Sequence, residues 1–124
     1  MKGRIFLFQW DEVSAAKRAE ALRTNGWQVD YEAEDGARGG KKVLENPPDI
    51  VLLDLARRAS HSRATAGGLR GYKAGRYLNL LFIDGKPEDL EKTRAKVTAA
   101  QFTTSLELLK TLDQFANIGL RQTS

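Results

Sequence analysis

Asp49-Ile50-Val51-Leu52-Leu53-Asp54-Leu55 is the stretch that decides the fold. Four consecutive branched apolar residues closed by an aspartate read as a strand buried on both faces. The carboxyl end of such a strand is where an open α/β sheet keeps its chemistry. Asp54 is therefore the first candidate for a functional residue.

Similar runs flank it. Arg4-Ile5-Phe6-Leu7-Phe8-Gln9-Trp10 reads as a first, buried strand. Asp11 then caps a helix through Asn25, with Ala15, Ala19 and Leu22 as its inner stripe. Gly26 ends it, because glycine enters the left-handed region cheaply. Trp27-Gln28-Val29-Asp30-Tyr31 alternates, as a half-exposed strand near a sheet edge does.

Asp35 or Gly36 opens a second helix through Glu45, and Pro47-Pro48 stops it. A third helix is expected over His61 to Lys73, weakened by Gly67, Gly68 and Gly71. Leu78 to Ile83 reads as a fourth strand. Pro87 suits the first turn of a fourth helix through Lys96. Ala100 to Thr103 reads as a fifth strand, and Thr104 with Glu107 matches a capping box. The last helix is expected to bury Leu106, Leu109, Leu112 and Phe115, with Arg121–Ser124 frayed.

Strands alternating with helices predict an α/β parallel sheet with helices on both faces. If the strand order is 2-1-3-4-5, Asp54 and Asp84 end neighbouring strands. The 124 residues are expected to form one domain, 1–124, with no effector domain.

Composition narrows the function. The absence of cysteine excludes disulfides, thiolate zinc sites and thiol nucleophiles. No apolar run approaches a membrane span, and the N-terminus does not resemble a signal peptide, so a cytoplasmic protein is expected. The net charge is +4 and the pI about 9.5. The excess is local: Arg57, Arg58, Arg63, Arg70, Lys73 and Arg76 carry +6 between Ala56 and Ile83 with no acid among them. Arg57, Arg63, Arg70 and Arg76 thus form a candidate basic contact surface. No recognition-helix or RNA-module signature accompanies the charge, so nucleic acid is not the expected partner.

The strand tips gather Gln9, Trp10, Asp11, Asp54, Asp84, Thr103 and Thr104. Asp84 has a plain reading as a cap for the helix that starts near Pro87. Gly36-Ala37-Arg38-Gly39-Gly40-Lys41-Lys42 fails the phosphate-loop pattern, since no Ser or Thr follows the lysine. It reads as a poor helix start with solvated lysines. Ser60-His61-Ser62 near Asp54 suggests a hydrolase triad, but no nucleophile elbow supports it.

Element order, Asp54 closing the third strand, and the placing of Gly26 together resemble the receiver domain of two-component response regulators. The resemblance covers about Arg4 to Phe115. It implies a flavodoxin-like fold, with strand order 2-1-3-4-5, and makes Asp54 the phosphoacceptor position. In such domains an acidic pair after the first strand binds magnesium, a Thr or Ser ends the fourth strand, and a Lys ends the fifth. Here the pair falls on Gln9 and Trp10, the hydroxyl position on Asp84, and the lysine position on Thr103 or Thr104.

The site is thus expected to be degenerate, with no metal, no cofactor and no enzymatic activity. Trp10 is expected to fill the space that magnesium and phosphate take in active receivers. An alternative makes Asp54 a working phosphoacceptor, with Asp11 and Glu12 as rescue magnesium ligands if the first strand slips in register. Another makes the strand tips and arginines a small-ligand or anion site. The leading expectation is a stand-alone signalling module that acts by protein–protein contact, with a homodimer through the fourth and fifth helices implied by the resemblance.

Overall fold

The computed structural model describes residues 2–123, with side chains through Asn117. Five parallel strands form one sheet in the order β2-β1-β3-β4-β5. The elements run β1 (Gly3–Phe8), α1 (Glu12–Thr24), β2 (Trp27–Glu32), α2 (Gly36–Glu45), β3 (Ile50–Asp54), α3 (Ala59–Arg70), β4 (Leu80–Ile83), α4 (Pro87–Lys96), β5 (Gln101–Thr103) and α5 (Leu108–Thr123). A 3-10 turn at Lys73–Gly75 follows α3.

The central strand carries the architecture. All of Ile50 to Asp54 is buried, because β3 pairs with β1 on one side and β4 on the other while helices cover both faces. Alternating side chains of β1 and β3 feed two cores. Phe6, Phe8, Val51 and Leu53 pack with Val43 of α2 and Ala66 and Leu69 of α3. Ile5, Leu7, Ile50 and Leu52 pack on the opposite face with Ala19 and Leu22 of α1 and Leu108 and Leu112 of α5.

Caps follow the local chemistry. Asp11 accepts from Ser14 N at 2.9 Å, and Asp35 accepts from Ala37 N and Arg38 N, so both helices start where the side chains predict. Gly26 has φ +95°, the left-handed turn expected after α1. The carboxylate of Glu32, at the tip of β2, takes both Nε and Nη2 of Arg38 at 2.8 Å and the backbone N–H groups of Glu34 and Asp35 at 3.0 Å. The Arg38 guanidinium, ahead of those amides, holds Glu32 at a pKa of about 2. This fork fastens the start of α2 to the sheet.

Several boundaries differ from expectation. Arg58 takes a left-handed conformation (φ 50°) and α3 starts at Ala59, two residues early. Gly71 ends it by donating its N–H to the carbonyls of Gly67 and Gly68. The expected stripe on α5 is shifted. Leu106 is 94% exposed and Leu109 half exposed, whereas Leu108 and Leu112 are buried. Thr104 Oγ1 does accept from Glu107 N, but the helix proper begins only at Leu108, so counting from Leu106 starts outside it. The backbone of α5 is helical through Thr123, while Ser124 and the side chains of the expected frayed tail lie outside the described residues.

The glycine-rich segment is not a poor helix start but a close-packed one. A Cβ on Gly39 would lie 2.5 Å from the Phe8 ring and 2.9 Å from Glu32 Cβ. Gly68 on α3 has nothing within 4 Å of such a Cβ. Gly39→Ala should therefore lower stability by about 1–3 kcal/mol despite alanine's better helix propensity. Gly68→Ala should raise it by up to about 1 kcal/mol. Urea unfolding of the two variants checks this; equal signs would contradict the packing.

Candidate functional site

The strand tips hold two hydrogen-bonded chains that meet around Asp54. The first begins at Gln9, just past β1. Its Oε1 accepts from Arg18 Nε of α1 at 2.7 Å. Arg18 Nη2 donates to Ser105 Oγ at 3.2 Å. Ser105 in turn gives its hydroxyl to Asp84 Oδ2 at 2.5 Å and its N–H to Asp84 Oδ1 at 2.7 Å. The chain joins the ends of β1 and β4 to α1 and to the loop after β5. Asp84 makes this clasp from a left-handed backbone (φ 61°), which aspartate tolerates better than most residues. The expected cap role is corrected: Lys86, not Asp84, is the N-cap of α4, and it caps with no side-chain bond.

The second chain starts at Trp10, which is only 7% exposed. Its Nε1 donates to Ser62 Oγ at 2.8 Å, and Ser62 donates to the backbone carbonyl of Asp54 at 2.5 Å. The indole meets the His61 ring edge-on, with centroids 4.0 Å apart, and lies 5.8 Å from Phe8. Trp10 is thus a core residue pinned to α3. The Ser62 hydroxyl is committed to Asp54's carbonyl and receives Trp10's N–H, so it is not free to act as a nucleophile. His61 Nε2 has no hydrogen-bond partner among the described residues.

Asp54 itself is 5% exposed, and its Oδ1 accepts from Ala56 N at 3.0 Å. Burial raises its pKa above the ordinary 3.8. The Ala56 N–H, the Arg18 charge and the Arg57 N–H pull it back in part, and the Asp84 charge pushes it up. Arg18 is the side-chain cation that acts on the Asp54 carboxylate, from its place between Gln9 and Ser105.

Thr103 and Thr104 supply no charge. Thr111 Oγ1 gives its proton to the Glu107 carbonyl, so the 2.8 Å contact between Thr103 and Thr111 has Thr103 as donor. Thr104 is spent on Glu107 N.

The proposed rescue ligands are not brought in. Asp11 is held by Ser14 N, and that N–H lowers its pKa. Glu12 accepts from the Tyr31 hydroxyl at 2.5 Å, which raises the tyrosine's pKa. The register slip does not occur either, since β1 ends at Phe8 and Gln9 N donates to the Glu32 carbonyl at 3.3 Å. Magnesium does not fit the residues present. The Gln9 oxygen is taken by a guanidinium, Trp10 offers only a donor, and a fixed positive charge stands nearby. Among the described residues, no three His, Asp or Glu side chains gather as a ligand set.

The four arginines of the basic surface separate into two kinds. Arg63 is paired with Asp89 at 3.1 Å, tying α3 to α4. Arg70 donates to the carbonyls of Thr98 and Gly75, and burial lowers its pKa. Arg57 and Arg76 are exposed. Arg18 and Ser105 went unread in the sequence, and Ser62 was read only as part of a triad. Arg18 lies half-buried beside the Ala15–Ala19 stripe, and Ser105 carried no signal.

The site predicts a pH signature. A raised folded pKa means that ionising Asp54 costs more in the folded state than in the unfolded one. Stability is then lost as pH rises from about 3.8 through the raised value. Asp54→Asn should unfold at a higher temperature than wild type near neutral pH, with the gain vanishing toward pH 3.8. Arg18→Met should raise the Asp54 midpoint further, as read by carboxyl carbon NMR. A midpoint that falls or stays fixed would remove Arg18 as the compensating charge.

No protein-family model matches the sequence, and no curated protein matches it. Solved structures do share its fold. The receiver domain of a sensor histidine kinase from Pseudomonas aeruginosa, described with a magnesium ion coordinated in its active-site cleft, superposes with a TM-score of 0.75 at 17% identity, covering 93% of this chain and 98% of that one. The chemotaxis protein CheY4 of Vibrio cholerae matches with a TM-score of 0.75 at 16% identity over 90% and 97%. The signal receiver domain of a histidine kinase from Syntrophus aciditrophicus matches with a TM-score of 0.72 at 16% identity over 93% and 90%. At such identities the likeness is one of fold.

Proposed function

We propose that this chain of receiver fold is a degenerate receiver-like module that works in cytoplasmic signal transduction by protein–protein contact, without magnesium-dependent phosphorylation and without enzymatic activity of its own. One observation carries the reading. At the tip of β1, where a receiver places its metal-binding carboxylates, the chain has Gln9 bonded to Arg18 and Trp10 buried against α3.

Moving a phosphoryl group onto a carboxylate needs a cation that neutralises the transferring oxygens. Arg18 brings positive charge, but it is engaged by Gln9 and Ser105. Asp84 sits where a receiver keeps a hydroxyl, and its charge already burdens Asp54. These residues support a site that holds its loops in one arrangement. The exposed Leu106, just before α5, and Leu109, in its first turn, suit the pairing face that receivers use.

The test is incubation with magnesium and acetyl phosphate, or beryllofluoride, followed by intact mass and tryptophan emission. The expected result is no mass gain and no change in emission. A gain of one phosphoryl group that Asp54→Asn abolishes overturns the proposal and restores Asp54 as a phosphoacceptor.

A further inference from the structure

The outer faces of α2 and α3 leave a groove of about 680 Å³. Its floor is set by close approach: Gly36 abuts Thr65, and a Cβ on Gly40 would sit 3.8 Å from Leu69 Cδ2. Its walls are Ala37 and Leu44 on one helix and Ala64 and Gly68 on the other. Ala64 and Gly68 lie about one helical turn apart and Ala37 and Leu44 about two, so each pair shares one face of its helix. Gly68 has open space where a side chain would project. Tyr72, 62% exposed, rims one end, and His61, against which Trp10 packs, lines the groove as well.

Lys41 and Glu45 are the charged residues that line the slot, and the chain segments that build and follow its two helices are basic. Residues 36–45 and 55–83 hold nine Lys and Arg against Glu45 alone, a net +8 in a chain of net +4, so the remainder nets −4. Arg38, Arg63 and Arg70 are spent on Glu32, Asp89 and backbone carbonyls. Lys42, Arg57, Arg58, Lys73 and Arg76 are exposed, and Lys41 meets Glu45 only at 4.0 Å.

We propose that the α2–α3 groove is a docking site for an acidic amphipathic helix of a partner protein, which inserts bulky apolar side chains between Ala37, Leu44, Ala64 and Gly68 and sets its carboxylates against the flanking lysines and arginines. The inference rests on the reading of the chain as a protein-contact module and names one surface of it. The length fits: α2 from Gly36 to Glu45 spans roughly 14 Å, which matches two to three turns of an occupant. The apolar walls argue against nucleic acid, which would use the cations but not the slot. A second copy would bring the same +8 face toward itself if the two grooves met.

The probe is a side-chain-stapled helical peptide of about 15 residues, with leucine along one face and glutamate on the rest. Its control carries lysine in place of glutamate. Tryptophan emission is a direct readout, because Trp10 packs on His61. The acidic peptide should bind saturably, about tenfold or more tighter than the basic one. Binding should weaken as salt rises from about 0.05 to 0.5 M. Gly68→Leu fills the slot where a Cβ meets nothing, so it should melt at or above wild type yet lose at least about tenfold in affinity. Lys73→Glu with Arg76→Glu should weaken the acidic peptide and flatten its salt dependence.

Equal affinity for both peptides, no saturation, or unchanged binding to Gly68→Leu would overturn the proposal. So would self-association that Gly68→Leu abolishes, which would give the groove to a second copy. Phosphorylation of Asp54 in the preceding test would sink the functional reading and leave this titration unaffected, so the two failures are separable.

Discussion

Burial of β3 on both faces is the constraint from which the rest follows. A strand placed between β1 and β4, under helices on either side, has no solvent to lose its end into. The carboxylate that closes it must therefore be desolvated, and desolvation lifts its pKa. Three features of the strand tips offset that cost or fix the strand's end, while the Asp84 charge adds to it. The Ala56 N–H bonds the carboxylate, Ser62 bonds the Asp54 carbonyl, and the Arg18 charge acts from its place between Gln9 and Ser105.

Much of this was legible in the residues, and the reasons are physical. Apolar runs of four or five residues between helical stripes are enough to predict a doubly covered parallel sheet, because period and burial are local properties; the strand order came with the resemblance to receiver domains. Asp54 stood out because it interrupts such a run. Boundaries failed where the backbone did something that side-chain periodicity does not encode. Arg58 in a left-handed turn started α3 early, and the Thr104–Glu107 turn displaced the α5 stripe from Leu106 to Leu108.

The site was less legible because its decisive groups are far apart in the chain. Gln9, Arg18, Asp84 and Ser105 become neighbours only once the sheet exists. A half-buried arginine beside an alanine stripe has the same sequence signature as one that lies on a solvated helix face. Asp84 likewise looked like a helix cap, since nothing local shows that Ser105 would offer it both an N–H and a hydroxyl. The glycines of α2 misled for the opposite reason. Glycine lowers helix propensity, but tertiary contact with Phe8 and Glu32 demands the missing Cβ.

Arg18 gives the strand tips a property that a bound ion would not. A guanidinium tethered to α1 has a local concentration fixed by chain geometry and cannot be diluted away. A dissociable ion would exchange with its surroundings, whereas this positive charge is part of the chain and is present wherever the fold is.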